Sequence, residues 1–274
     1  MNDAPHPPKR ETPPGEIDTT VAHSARIWNY WLGGKDNYLI DRQIGDEFRK
    51  VFPDIVEIAR SSRAFLARAV RHLAGEAQVR QFLDIGTGLP TVDNTHEIAQ
   101  RVAPQSRVVY VDNDPMVLTH ARALLTSAAA GTTEYIDADL RQPEAIMEAA
   151  AGTLDFTRPI GLVLMNVLGH IPDLDEARSI VTRLVDALPP GSYLTVADGT
   201  NVISGEKFDR AIAIWNESGS IPYTLRTPEE ITGYFDGLRI LEPGVVPCSR
   251  WRPDPSPSGP PAENDEFGAV GRKL

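Results

Sequence analysis

"QFLDIGTGLPTVDNTHEIAQ", residues 81–100, is the stretch of sequence that decides the fold. An apolar run ends at Asp84, two glycines follow as Gly86 and Gly88, and a helical pattern comes next. This strand, turn and helix order is typical of the first unit of a parallel sheet, whose ligand lies beyond the carboxyl ends of the strands. Glycines at the turn let the backbone approach such a ligand without an intervening Cβ.

The remaining sequence repeats this alternation of short apolar runs and helical patterns, which predicts a mostly parallel sheet with helices on both faces. About seven strands are expected, and the last two read as an antiparallel hairpin at the C-terminus. Helix signals separate the runs, among them a capping box in which Thr227 is followed three residues later by Glu230. The predicted strands are residues 80–86, 106–114, 133–139, 159–169, 191–199, 238–251 and 267–274.

The glycine loop departs from that of a dinucleotide-binding fold. Such a loop carries a third glycine beneath a pyrophosphate, whereas Leu89 and Pro90 follow Gly88 here. Asp112 ends the second predicted strand and is placed to accept hydrogen bonds from the two hydroxyls of a ribose. The sequence therefore favours a nucleoside ligand without phosphates.

Composition limits the classes of function. The chain of 274 residues has 38 acidic and 27 basic residues, for a formal charge of −11, so nucleic acid is not an expected partner. A single cysteine, Cys248, excludes an internal disulfide and a multi-thiolate metal cluster, and we expect no metal site. No apolar run approaches the roughly 18 residues of a membrane span. These features predict a cytoplasmic protein with no membrane partner and leave the oligomeric state open.

The chain divides into three predicted parts. Residues 1–20 contain five prolines among polar residues and are expected to form a flexible arm. Residues 21–75 are expected to form a helical lid or cap. Residues 76–274 hold the alternating pattern and form the predicted ligand-binding domain.

Five segments in this order resemble the class I, Rossmann-like S-adenosylmethionine-dependent methyltransferases. They are the glycine loop "FLDIGTGLPT", the strand-two acid in "VVYVDNDP", "IDADLRQP", "VLMNVLGHIPD" and the closing "GLRILEPGVVPCSRWRP". "ARIWNYWLGGKDNYLIDR" with "GLPTVDNTHEIAQ" is similar to a bacterial group of methyltransferases without an assigned substrate. The resemblance implies a seven-stranded Rossmann-like fold with S-adenosylmethionine as cofactor. Asn166 stands where many relatives that methylate amines carry an acidic or aromatic motif, so the acceptor class is not inherited.

S-adenosylmethionine presents an adenine, a ribose, a sulfonium cation and an amino acid, and the sequence offers a partner for each part. Asp112 suits the ribose, with Asn113 beside the adenine. The side chain of Asp139 is placed to accept from the adenine N6 amine while Leu140 covers the ring. The methionine part is assigned to the following residues of strands one and four: Asp84, Gly86, Gly88 and Asn166.

Residues 23–42 place four aromatic side chains around a Gly33–Gly34 break, which suggests a lid. Aromatic faces such as that of Tyr30 shield a sulfonium by cation–π contact. Arg26 or Lys35 is a candidate partner for the methionine carboxylate. The alternative is that this segment is a helix face packed permanently on the core.

Methyl transfer needs alignment rather than a protein nucleophile, because the methyl group is already activated. His170 follows strand four near the expected acceptor and is the candidate general base. Trp215 and Tyr223 are candidates for the wall of an acceptor pocket. We expect a methyltransferase acting on a small molecule. The alternatives are a regulatory protein that binds S-adenosylmethionine without turnover and, less favoured by the glycine loop, a nicotinamide-dependent oxidoreductase.

Overall fold

The stretch quoted first supplies an interior strand of a mixed sheet, which has eight strands in the part of the chain that is described. The computed structural model describes residues 18–91, 93–117, 119, 130–218, 220–257 and 259–274. The predicted arm of residues 1–20 lies almost entirely outside these ranges. In chain order the strands are β1 Gln81–Ile85, β2 Arg107–Asp112, β3 Thr132–Asp137, β4 Gly161–Met165, β5 Tyr193–Gly199, β6 Arg239–Ile240, β7 Val246–Pro247 and β8 Glu266–Arg272.

The strands lie in the order β3-β2-β1-β4-β5-β8-β6, and β7 also pairs with β8. The first five strands are parallel to one another, while β8 is antiparallel to β5. The predicted mostly parallel α/β sheet with an antiparallel C-terminal set is thus confirmed. The strand predicted over residues 238–251 is divided into β6 and β7, because a turn closed by Gly244 N–H donating to the Leu241 carbonyl interrupts it.

Helices flank the sheet on both faces. Helix α4 begins after Asn94 with a capping box, as does α8 after Thr227, where the predicted bond from Glu230 N–H to the Thr227 hydroxyl is present. No helix within the described ranges combines the length and the apolarity needed to cross a membrane. The helices whose bounds lie within the described ranges are α1 Ser24–Trp31, α2 Leu39–Val51, α3 Ile55–Gly75, α4 Thr95–Val102, α5 Pro143–Ala150, α6 Leu174–Asp186, α7 Glu206–Glu217 and α8 Pro228–Gly233.

Two apolar cores lie on opposite faces of the sheet. The face covered by α5, α6 and α8 includes Leu83, Leu164 and Leu184, and the face covered by α3 and α4 includes Phe65 and Val163. Because both faces are covered, all five residues of β1 are buried, including the polar Gln81 and Asp84.

A third core joins the N-terminal helices to α7 and is built largely from aromatic rings. The ring of Trp31 lies 5.1 Å from that of Phe48 and 5.9 Å from that of Trp215, while Phe52 stacks on Phe208 at 4.3 Å. Helix α3 begins in this third core and continues onto the sheet. The segment predicted as a cap over residues 21–75 therefore packs partly on α7 and partly on the sheet.

The ion pair of Arg26 with Asp41 ties α1 to α2. Both side chains are buried, with the Arg26 Nε 3.2 Å from an Asp41 carboxylate oxygen. Asp41 also accepts from the backbone N–H groups of His23 and Tyr38, at 3.0 and 2.8 Å. The remaining guanidinium nitrogens donate to backbone carbonyls, one of them that of Val21. This set of bonds fixes the entry of the chain into α1.

Replacing Arg26 by Met is expected to lower the free energy of unfolding by about 3 kcal/mol or more, because the buried Asp41 carboxylate loses its charged partner. The matched control is Arg49→Met, which removes the half-exposed arginine of a 3.7 Å pair with Asp46. The control is expected to cost less than about 1 kcal/mol. Urea unfolding monitored by circular dichroism measures both, and equal losses would contradict a structural role for the buried pair.

Candidate functional site

A cavity of about 200 Å³ opens at the carboxyl ends of β1, β2 and β4, beneath helix α1. Strand order reverses between β1 and β4, so the loops that leave these strands diverge and leave room for a ligand. We call this the larger cavity. Nine of the predicted site residues line it: Asp84, Gly86, Gly88, Asp112, Asn113, Asp139, Leu140, Asn166 and His170.

The glycine loop is shaped by positive backbone angles and close packing. Gly86 and Gly88 have φ values of +73° and +65°, in the region that favours glycine. A Cβ added to Gly86 would lie 2.4 Å from a side-chain carbon of Val167, so the loop after β4 leaves no room for one. The Gly86 N–H donates to the Val111 carbonyl at 2.8 Å. The loop is thereby fixed against the ends of β2 and β4.

Asp112 is held at the end of β2 by two backbone groups. One carboxylate oxygen accepts from Gly88 N–H at 2.8 Å, and the other accepts from Asp114 N–H at 2.9 Å. Burial raises the pKa of Asp112, and these two bonds oppose the shift. Each carboxylate oxygen has two lone-pair sites, so each retains capacity for a ligand hydroxyl after its backbone bond.

Asp84 lies deeper than Asp112. Its carboxylate accepts from the Thr95 hydroxyl at 2.6 Å, which ties β1 to the start of α4. Burial raises the pKa of Asp84 to about 6, and the charge of Arg63 opposes the shift. Arg63, from α3, also lines the larger cavity. The sequence did not predict this residue, because the pattern of a helix does not indicate which of its polar side chains faces a distant loop.

Asn166 takes a left-handed conformation at φ +54°, directly after β4. Its side-chain nitrogen donates to the Ser62 hydroxyl at 3.0 Å and to the Glu266 carboxylate at 2.7 Å. Both amide hydrogens are therefore used inside the protein, and the amide oxygen is the atom suited to accept from a ligand. Glu266 is a second residue that the sequence did not reveal, since the last strand was predicted to begin one residue later.

The far end of the larger cavity is lined by Asn113, Asp139 and Leu140. Leu140 is buried, while the Asp139 carboxylate accepts from Arg141 N–H at 2.9 Å and remains partly exposed. An apolar side chain and a partly exposed carboxylate thus lie in the wall of one cavity, and their contact with an adenine stays a prediction.

His170 ends a short 3₁₀ helix, Leu168–His170, after β4. Its Nδ1 lies 2.8 Å from the Pro222 carbonyl oxygen, which accepts, so Nδ1 carries the proton and Nε2 of the neutral ring is an acceptor. Burial lowers the pKa of His170, and the nearby charges of His23 and Arg141 act in the same direction. The neutral ring is therefore the favoured form near pH 7.

Arg26 and Tyr30 are placed elsewhere, in disagreement with their predicted roles. The Arg26 guanidinium is buried against Asp41 and does not line the cavity. The Tyr30 hydroxyl donates to Asp46 at 2.8 Å and also lies off the cavity wall. Both residues lie on α1, but the face that α1 turns to the cavity carries other side chains, including that of Trp28. Lys35, the other candidate for the carboxylate, is exposed outside the cavity.

A second cavity, of about 70 Å³, adjoins the first between α1, α2 and α7, and we call it the smaller cavity. Trp215 and Tyr223 line it, as predicted for a pocket beside the ligand site. No cluster of three or more potential metal-ligating His, Cys, Asp or Glu side chains occurs among the described residues.

Solved structures share this fold. The chain is 44% identical to a DUF574 family protein from Streptomyces avermitilis, with a TM-score of 0.90 over 94% of this chain and 100% of that one. It is 41% identical to a candidate methyltransferase from Thermobifida fusca, with a TM-score of 0.85 over 95% and 98%. An S-adenosylmethionine-dependent methyltransferase from Anabaena variabilis, at 18% identity, has the same fold, with a TM-score of 0.51 over 94% and 96%. Fold and cavity together define the Rossmann-like methyltransferase class.

The profile of the S-adenosyl methyltransferase family matches residues 10–274. The chain therefore belongs to this family, and its cofactor is S-adenosylmethionine. No curated protein matches the chain significantly. The predicted resemblance to Rossmann-like methyltransferases is confirmed.

Burial raises the pKa of Glu266 to about 7, from 4.5 for an ordinary glutamate, with the hydrogen bonds to Ser62 and Asn166 opposing the shift. The folded protein thus holds this proton more tightly than the unfolded chain. The free energy of unfolding is expected to fall as pH rises from about 5 to about 7. Glu266→Gln should reduce this fall by about 1–3 kcal/mol, measured by urea unfolding at pH 5 and pH 8.

The fall should be reduced rather than abolished, because burial also raises the pKa of Asp84 to about 6 and that of Asp198 to about 7. Glu134→Gln, at an exposed position on β3, is the matched control. A wild-type pH dependence retained in full by Glu266→Gln would show that Glu266 does not titrate in this range.

Proposed function

We propose that this protein transfers the methyl group of S-adenosylmethionine to a small-molecule acceptor, with the cofactor bound in the larger cavity. The observation that carries the proposal is the Asp112 carboxylate, fixed by Gly88 and Asp114 N–H groups and still able to accept from two hydroxyls. The chemistry of the cavity fits this cofactor in two further respects: the glycine loop has no third glycine for a pyrophosphate, and acidic side chains face the space that a cation would enter.

The parts of the cofactor are assigned along the cavity. The ribose binds to Asp112, and the adenine lies between Asn113, Leu140 and the Asp139 carboxylate. The amino group of the methionine part binds to the amide oxygen of Asn166, near the Gly86 turn. The methionine carboxylate is assigned to Arg63 in place of the predicted Arg26, because Arg63 lines the cavity beside Asp84 and Arg26 does not.

His170 is proposed as the group that takes the proton from the acceptor. It lines both cavities, and its Nε2 is an acceptor because Nδ1 is bonded to the Pro222 carbonyl. When bound, S-adenosylmethionine supplies an activated methyl group for in-line displacement, so the protein contributes alignment, exclusion of water and a proton acceptor.

Helix α1 is proposed to act as the mobile part of the cap. His23, at its start, places Nδ1 2.9 Å from the Asp114 carboxylate, next to the ribose-binding Asp112. Trp28 on the same helix lines both cavities. An element that contacts the cofactor loop at one end and covers both cavities is suited to close when the cofactor binds.

The ribose assignment predicts that S-adenosylhomocysteine raises the melting temperature of the wild-type protein and that Asp112→Ala abolishes the rise. Each lost bond to a charged acceptor costs on the order of 1.5–3 kcal/mol. Asp137→Ala is the matched control, since Asp137 pairs with Asp112 across β2 and β3 but does not line the cavity. A full rise in Asp112→Ala, or stabilisation by NAD instead, would overturn the assignment.

The cap assignment predicts that amide hydrogen exchange within residues 23–42 slows when S-adenosylhomocysteine binds. The amides of β1, which lie in the centre of the sheet, provide the internal reference. Exchange measured by mass spectrometry with and without ligand tests this. Equally slow exchange in both states would identify α1 as a permanent part of the core.

A further inference from the structure

The smaller cavity is walled mainly by aromatic and aliphatic side chains. Its lining includes Trp28 and Trp31 from α1, with ring centroids 5.9 Å apart, and Phe208, Ile212 and Trp215 from α7. Flat aromatic walls favour a flat apolar ligand, because ring faces and edges pack against one another with little loss of side-chain entropy.

No aspartate, glutamate, lysine or arginine of the described chain lines the smaller cavity. The larger cavity differs sharply, with acidic and basic groups such as Asp112 and Arg63 in its wall. A ligand that carried a formal charge into the smaller cavity would lose its hydration without gaining an ion pair, which is strongly unfavourable. The occupant is therefore uncharged.

Two polar side chains at the inner end of the smaller cavity have unequal capacity for a ligand. The Tyr223 hydroxyl donates to the buried Asp198 carboxylate and accepts from Gly199 N–H at 3.0 Å, so its donor is already used. His170 lies beside it, with the ring centroids 5.1 Å apart, and has Nε2 as an acceptor. An uncharged acceptor nitrogen is matched by a ligand group that donates one hydrogen bond, and a hydroxyl is such a group.

The two cavities share four lining residues, Ser24, Trp28, Asn166 and His170. A ligand that contacts His170 in the smaller cavity therefore lies beside the larger one. With a volume about a third that of the larger cavity, the smaller cavity suits a molecule much smaller than S-adenosylmethionine, of a single ring.

We propose, on the basis of the methyltransferase function above, that the smaller cavity binds the methyl acceptor, an uncharged aromatic molecule of a single ring whose hydroxyl is directed at His170 Nε2. In the transfer, the hydroxyl proton passes to Nε2, the oxygen forms a bond to the methyl carbon, and the carbon–sulfur bond breaks with its electron pair going to sulfur. S-adenosylhomocysteine and an aryl methyl ether leave, and the imidazolium returns its proton to water.

Binding of phenol to the protein saturated with S-adenosylhomocysteine tests the cavity. Calorimetry with phenol, benzoate and protonated benzylamine is expected to show at least tenfold tighter binding of the uncharged ring. Ile212 lines the smaller cavity and not the larger one, so Ile212→Trp fills the smaller cavity, whereas Ile214→Trp on the same helix lies outside both cavities. The first variant should lose phenol binding at least tenfold, and the second should retain it.

Transfer is tested with S-adenosylmethionine and phenol, for which methoxybenzene is the expected product. His170→Gln should slow its formation by about 10²–10⁴-fold while changing the dissociation constant of phenol less than tenfold. Failure of the wild-type protein to bind S-adenosylhomocysteine would overturn the proposed function itself. Binding of S-adenosylhomocysteine without preference for phenol, without methyl transfer to it, or with equal effects of the two tryptophan variants would overturn the acceptor assignment alone.

Discussion

The reversal of strand order between β1 and β4 is the constraint on which the site depends. Strands β2 and β3 extend the sheet on one side of this pair, and β5 and β8 extend it on the other, so the loops after β1 and β4 part from each other. Gly86 follows β1, Asn166 follows β4, and the Val167 side chain lies where a Cβ on Gly86 would be. A side chain added at Gly86 would force the loop after β1 away from β4. The part of the cavity wall that this loop forms would move with it.

The buried carboxylates at this end of the sheet lose hydration, and they differ in the hydrogen-bond donors that replace it. Asp112 receives two backbone N–H bonds, whereas Asp84 and Glu266 depend on side-chain donors from Thr95, Ser62 and Asn166. Backbone donors are fixed by the fold, while side-chain donors reorient with their rotamers. The acid assigned to the ribose is thus the one held most rigidly, in keeping with the need for preorganised polar groups in a binding site.

The fold and the residues at the strand ends that line the larger cavity could be predicted from the sequence, because both depend on local signals. Gly86, Gly88 and Asp112 stand at fixed offsets from strand ends, and the parallel order brings strand ends together without further information. Arg26 was misassigned for the opposite reason. A helix presents charged residues around its whole circumference, and only packing against α2 decides that Arg26 meets Asp41 while Trp28 meets the cavity.

Glu266 and Arg63 belong to the site although the sequence did not predict them. Each reaches the site across a large sequence separation, Glu266 through contact with Asn166 and Arg63 through the wall of the cavity. Periodicity describes a residue's own element and contains no information on which distant loop lies opposite. The predicted start of β8 was one residue too late, and the residue left out was Glu266, whose carboxylate contacts Asn166.

The walls of the two cavities are unequally shared, and this bears on how the protein can change over evolutionary time. Side chains from α1 and the loop after β4 face both cavities, so a substitution there alters both cavities together. Those of α7 face the smaller cavity alone. Under the acceptor assignment proposed above, α7 is the element through which acceptor preference can diverge among relatives while the larger cavity stays intact, and sequence differences on its inner face should track differences in substrate rather than in fold.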